Sequence, residues 1–345
     1  MQVFVLFSLV ASTFFQIAGL VPCGYVQALL SNKSAIYFAA CGLSHCWDMK
    51  TIDQVERIEW FIPWQALIQA RNDINNSQCF TLIFQRSGGH GSTAATAVSN
   101  KNCSHLASTY CALAILKMVG YNLSNINPEA ILKSMRKLQQ HDGSFVPIHF
   151  RAETDLRFVY CAAAICSMLD NWTGMDKEKA KEYIVRCQSY DGGFGLVPDS
   201  ESHGGATFCA VAALQLMGFI GEDISPNQEV IDMPLLVEWL LQSAARQSGD
   251  GGFQGRMNKP SDTCYAFWVG GVLKMLGLFE FINKDALRNF ILSCQSKYGG
   301  FTKFPGMKFP DLYHSYYSFS ALSLLGEPGF RSLYVELGIC SDCNG

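Results

Sequence analysis

Asp262, Cys264 and His314 offer a carboxylate, a thiolate and an imidazole, donor types that bind zinc while leaving a fourth position open. Taken alone, Asp-x-Cys also describes a buried thiol beside a helix cap. Just ahead of the pair, Gly255-Arg-Met-Asn-Lys259 carries two cations, Arg256 and Lys259. His203 and Arg157 add further groups of this kind, and Lys303 precedes His314 by eleven residues. Cations gathered at helix N-termini make an anion site, because the helix dipole and the unpaired N–H groups add to their charge. Tyr160, Phe208, Tyr265, Trp268 and Tyr317 are either core residues or the walls of an apolar cavity beneath that charge. The second arrangement suits an amphiphile with an anionic head.

An internal repeat must position these residues. A Gly-rich turn recurs as LQQHDGSF, CQSYDGGFG, RQSGDGGFQG and CQSKYGGF, closing on Phe145, Phe194, Phe253 and Phe301. An amphipathic run such as KAKEYIVRCQS leads into each turn, and a nearly apolar run such as TFCAVAALQLMG follows it. The first belongs on an outer surface and the second inside. Fifteen residues before the inner-helix ends Gly120, Asp170, Gly218, Gly277 and Gly326 stand His105, Asp155, His203, Asp262 and Asp311. Arg157, Gly205, Cys264 and His314 follow two or three residues later. Fifteen residues is about four helical turns, so all of these sit at the N-terminal ends of inner helices. Helix capping accounts for Asp155 and Asp311; it does not account for a cysteine and two histidines at the same level. Period-two strand patterns are scarce.

The fold class this predicts is all-α: an α/α barrel (toroid) of repeated helix pairs, about six inner and six outer helices, forming one domain over residues 1–345. An open solenoid would instead need polar capping helices at its ends.

With 345 residues, 49% of them apolar and 16% charged, the chain can bury a large core. A net charge of -3 and the lack of a long basic run exclude non-specific nucleic-acid binding. The 14 cysteines are dispersed, many among small apolar residues, and Cys340–Cys343 is the sole Cys-x-x-Cys. Reduced thiols and a cytoplasmic protein are expected. Residues 3–22 are apolar enough to span a bilayer or to act as a signal, but no Lys or Arg precedes Lys33. The expectation is a buried helix and no stable membrane span.

The segments ETDLRFVYC, ESHGGATFC, GRMNKPSDTCYAFW and DLYHSYY resemble the β subunits of protein prenyltransferases, the geranylgeranyl type I members above the others, in a plant-like form. The resemblance runs from about Phe14 to about Leu337, with residues 1–13, 76–98 and the last few fitting poorly; the polar N-terminal extension usual in the family is missing, so a truncated start is expected rather than a signal peptide. It implies an α/α barrel paired with a prenyltransferase α subunit as a heterodimer. It implies one Zn2+ per β subunit, held by Asp262, Cys264 and His314, with the substrate cysteine as fourth ligand and nucleophile. His203, Arg256, Lys259 and Tyr265 match residues that hold the donor diphosphate, and Gly205 is counted with that set. Arg157, Tyr160 and Trp268 match residues lining the isoprenoid and peptide cavity.

Ser34 stands where the farnesyl enzyme has a tryptophan on the pocket floor, leaving room for a fourth isoprene unit. Lys303 falls where that enzyme has a magnesium-binding aspartate, so an ammonium replaces magnesium, which is then not required. Tyr313 and Tyr317 point the other way, towards the farnesyl type. The function implied is transfer of a geranylgeranyl group from geranylgeranyl diphosphate to the cysteine thiol of proteins ending in a CaaX motif, such as small GTPases. The alternatives are a farnesyltransferase β subunit and, in a different class, a non-catalytic α/α-toroid binding module. A terpene cyclase is disfavoured because its Asp-x-Asp-Asp motif is missing.

Overall fold

The computed structural model describes residues 106–118, 122–149, 152–221, 230–242, 245–297 and 299–340. The helix expected over 3–22, Ser34 and His105 lie outside the described residues. The described inner helices are α1 (Leu106–Met118), α3 (Leu156–Met168), α5 (Gly204–Met217), α7 (Thr263–Met275) and α9 (Leu312–Leu324). They alternate with the outer helices α2 (Pro128–Arg136), α4 (Lys177–Arg186), α6 (Met233–Leu241) and α8 (Lys284–Ser293).

The two classes differ as their sequences require. In α4, Ala180, Tyr183 and Ile184 form one buried stripe, and Leu287, Phe290 and Ile291 do the same in α8. In α3 and α5, by contrast, most residues are buried. Small residues such as Ala162, Ala163, Ala164, Ala210, Ala212 and Ala213 leave space for neighbours on every side. Inner helices pack side by side in chain order, α1 on α3, α3 on α5, α5 on α7 and α7 on α9.

The Gly-rich turns act as clamps between repeats. Gln139 accepts from the Asp176 N–H at 2.7 Å and donates to the Asp176 carbonyl at 2.9 Å. Gln188 pairs in the same way with Asp232, and Gln247 with Asn283. Asp176, Asp232 and Asn283 cap α4, α6 and α8, so each turn fixes the start of the next outer helix. The turn glycine must come close: a Cβ on Gly251 (φ +89°) would lie 2.3 Å from the Ala286 carbonyl oxygen of α8.

Five residues after their N-caps, α3, α5, α7 and α9 carry Tyr160, Phe208, Phe267 and Tyr316, and Tyr110 occupies the matching place in α1. Their rings follow one another around the arc at centroid distances of 5.6, 5.8, 5.1 and 6.4 Å. Such contacts add about 0.5–1.5 kcal/mol each beyond area burial.

After α9 comes a hairpin that the sequence pattern does not announce: β1 (Leu333–Tyr334), a single 3-10 turn, and β2 (Ile339–Cys340). It packs on α1, α5, α7 and α9. Tyr110 donates to the Leu337 carbonyl at 2.8 Å and Tyr316 donates to that of Gly338, so the hairpin ties the first described inner helix to the last. The described cysteines are buried. Among the described residues no helix is long and apolar enough to cross a membrane.

Candidate active site

The N-caps of the inner helices build the site. Asp155, His203, Asp262 and Asp311 all have extended backbones, and the side chain of each accepts a backbone N–H of its own helix. Capping thus holds for all four, not for Asp155 and Asp311 alone, and each cap reaches the same rim. The turns hold them there. The N–H groups of His203, Asp262 and Asp311 donate to the carbonyls of Phe194, Phe253 and Phe301, at 2.9, 3.0 and 3.3 Å. Ser202 and Ser261, which precede two of the caps, donate to Asp191 and Asp250 of the same turns.

On α7 and α9 this register gathers Asp262, Cys264 and His314, with one ligand atom from each all within 4.8 Å of one another. Asp262 Oδ1 accepts the Cys264 N–H at 3.0 Å and lies 3.4 Å from His314 Nε2. Lys303 Nζ stands 3.5 Å from Asp262 Oδ2. On its other nitrogen, His314 Nδ1 meets Asp311 Oδ2 at 2.6 Å. Burial opposes charge on His314, but its bonds to Asp262 and Asp311 outweigh that and hold the imidazole up at about 9. Burial, then the Asp262 charge, pushes the Cys264 thiol far up. Burial would raise the Asp262 carboxyl; the His314 and Cys264 bonds win and keep it below the usual range. Two groups that hold their protons thus crowd one carboxylate, and a divalent cation taking the place of those protons would relieve them. A hard oxygen, a nitrogen and a soft sulfur fit zinc.

The second group lies beside the first. His203 Nδ1 accepts the Gly205 N–H at 3.0 Å and Nε2 is 2.8 Å from Tyr265 Oη. Arg256 bonds Glu201 at 2.8 Å, and Lys259 is exposed in the same turn. Arg157 is fixed on α3 by its own cap, Asp155, at 2.6 Å. Trp268 donates to Tyr313 at 3.2 Å, and the Tyr317 ring lies 4.5 Å from that of Trp268. Every site residue inferred from sequence and described in the structure therefore lies at the N-terminal part of an inner helix or in the loop before it. Three contributors escape sequence reading. They are Asp311 as the partner of His314, Glu201 as the partner of Arg256, and Asp250 as the support of the Asp262 cap. The Asp-x-x-His spacing was the available signal for the first.

A model of the prenyltransferase alpha-alpha toroid domain matches residues 12–339. The chain is 53% identical over 323 residues to the geranylgeranyl transferase type-1 subunit beta of Arabidopsis thaliana, covering 93% of this chain and 85% of that protein. It is 32% identical over 335 residues to the subunit of the same name from Dictyostelium discoideum, covering 94% and 92%. The protein farnesyltransferase subunit beta of Pyricularia oryzae is 33% identical over 271 residues, 69% of this chain and 49% of that one. Among solved structures, Candida albicans protein geranylgeranyltransferase-I complexed with GGPP superposes with a TM-score of 0.70 at 26% identity, covering 96% and 95%.

Proposed function

Since the chain belongs to the prenyltransferase α-α toroid family, we propose that it is the catalytic β subunit of a zinc-dependent protein geranylgeranyltransferase type I. The observation that carries this reading is the Asp262–Cys264–His314 cluster opening beside Lys303. In the reaction, the C1–oxygen bond of geranylgeranyl diphosphate breaks, a carbon–sulfur bond forms to the cysteine of a CaaX protein, and the diphosphate leaves with the bonding pair. Asp262, Cys264 and His314 would hold the zinc, which supplies a positive charge that keeps the substrate cysteine as thiolate at neutral pH.

The chain's own residues do the rest. Lys303, Arg256 and Lys259 bring cations to the growing negative charge of the leaving group, and Tyr265 adds a hydroxyl. Arg157, Tyr160 and Trp268 would border the space for the lipid and the peptide. Lys303, 3.5 Å from Asp262, would bring a fixed positive charge to the diphosphate, which supports transfer without magnesium. The farnesyl reading rests on Tyr313 and Tyr317. Against it stands 53% identity over 93% of the chain to a geranylgeranyl transferase type-1 subunit beta, where the farnesyltransferase subunit reaches 33% over 69%. A toroid that only binds would have no use for three metal-ligating side chains in one place. The family match from residue 12 to 339 supports a single domain. An α subunit as partner and a cytoplasmic setting follow from the same reading.

Co-expression with a prenyltransferase α subunit, followed by competition between geranylgeranyl and farnesyl diphosphate on a CaaX peptide, tests it. Preferential incorporation of the twenty-carbon group is expected. Preference for the fifteen-carbon group would make the protein a farnesyltransferase, and absence of both zinc and transfer would leave the binding module.

A further inference from the structure

Cys264 and Trp268 lie one helical turn apart on α7, and Tyr313 and Tyr317 lie one turn apart on α9. Because α7 and α9 pack side by side, the four side chains meet across the seam. The Trp268 Nε1–H donates to Tyr313 Oη at 3.2 Å, and the Tyr317 ring lies 4.7 Å from that of Tyr313. The Tyr313 ring also meets the His314 imidazole edge-on at 5.0 Å. Three aromatic neighbours therefore hold one phenol against the metal-ligating cluster.

Its hydroxyl is directed as well as held. An indole nitrogen can only donate, so the tyrosine oxygen is the acceptor of that bond and its own proton is left to give. The second partner of the hydroxyl is the Cys264 side chain. There the thiol bonds Asp262, whose carboxylate can only accept, so the sulfur faces Tyr313 as an acceptor. With a metal in place of the thiol proton the sulfur is a thiolate, and the phenol is the only member of the pair able to donate. A hydrogen bond to a charged acceptor is roughly twice as strong as one between neutral groups.

Two thiolates would share the zinc during transfer, that of Cys264 and that of the substrate, and only the second is to be prenylated. We propose that Tyr313 is a positioning residue whose hydroxyl donates to the Cys264 sulfur and so leaves the substrate cysteine as the more electron-rich of the two. This rests on the zinc reading of the site. A shielded Cys264 gives less charge to the metal, which then draws the proton from the substrate thiol more strongly. Burial closes Cys264 to the lipid donor, and the hydrogen bond weakens it further as a rival nucleophile. The role does not depend on lipid length, so a tyrosine at position 313 serves an enzyme of either donor preference.

The test is the α/β complex loaded with cobalt in place of zinc, compared between wild type and Tyr313→Phe. Phenylalanine keeps the ring against Trp268, His314 and Tyr317 and removes only the hydroxyl. Without substrate, Cys264 is the one sulfur among the three ligands, so the sulfur-to-cobalt charge-transfer band reports on it alone. Losing the hydrogen bond raises the energy of the sulfur lone pair, and the band should move to longer wavelength. Transfer by the zinc form at neutral pH should fall about tenfold, the lower end of the range for loss of an outer-shell partner. That deficit should shrink as pH rises and the substrate thiol ionises unaided. Tyr313→Leu should show the same band shift, with a higher KM for the peptide because the ring is gone too. An unmoved band in cobalt-loaded Tyr313→Phe, or a deficit equal at every pH, would overturn the proposal and leave the zinc reading standing. A wild-type complex that takes up no metal would overturn both.

Discussion

Asp311 Oδ2 lies 2.6 Å from His314 Nδ1, while Oδ1 of the same carboxylate accepts the His314 backbone N–H at 2.9 Å. One side chain thus caps α9 and turns the other ring nitrogen of His314 towards Asp262 and Cys264. Asp311→Ala should lose both effects: about 1 kcal/mol of stability from the cap and about 10- to 100-fold in metal affinity from the orienting bond. Asp311→Asn should keep the cap and lose only affinity. Thermal melts beside metal titrations separate the two, and equal metal affinity in all three proteins would refute the orienting role.

Metal uptake should be coupled to protons. In the metal-free chain His314 is held at about 9 and is charged at neutral pH, and Cys264 is a thiol. The folded imidazole value is raised, so its interaction with Asp262 and Asp311 is present below the ordinary histidine range and is lost as pH rises through about 9. A metal must displace those protons, so zinc affinity should fall as pH is lowered. Calorimetry in two buffers of different ionisation enthalpy should show net proton release. Cys264→Ala should abolish tight zinc binding and transfer while the lipid diphosphate still binds.

Lys303 makes a prediction of reversed sign. With Nζ 3.5 Å from Asp262 Oδ2, it brings a fixed positive charge to the site. Wild-type transfer should be independent of added magnesium. Lys303→Asp should reduce it by about 100-fold or more without magnesium and recover much of that loss with the ion, since a carboxylate beside a diphosphate needs a cation between them. A variant indifferent to magnesium would argue against this placement of Lys303.

Gly251 tests the clamp. Alanine there would meet the Ala286 carbonyl at 2.3 Å and would have to hold a φ of +89°. Gly251→Ala should cost about 2 kcal/mol or more, because backbone rather than a flexible side chain must yield. Gly218→Ala has a similar φ of +82° and no neighbour within 4 Å, so it should cost less. The difference in melting temperature between the two isolates the contact from the conformational strain.

The cap register was legible because the spacing from helix end to helix start repeats. That alone places His203, Asp262, Cys264 and His314 at one rim. Asp311 as an orienting group was not legible, since a capping aspartate and a ligand-directing one look identical in a sequence. The β1–β2 hairpin escaped because two-residue strands are too short to carry an alternating pattern. The pairing of Arg256 with Glu201 depends on two loops from different repeats, and no local signal encodes that approach. Ser34, on which the pocket-floor argument rests, lies outside the described residues.

The hydrogen bond from Tyr110 to the Leu337 carbonyl joins positions 227 residues apart. During synthesis, α1 leaves the ribosome long before that carbonyl exists, so the helices made first wait for their last partner. Contacts of such sequence separation are the slow ones in folding, because a long loop must close before they are gained. Released chains ending before Leu337 should therefore expose the faces of α1 and α9 that the hairpin covers, and such exposed apolar surface is what chaperones bind.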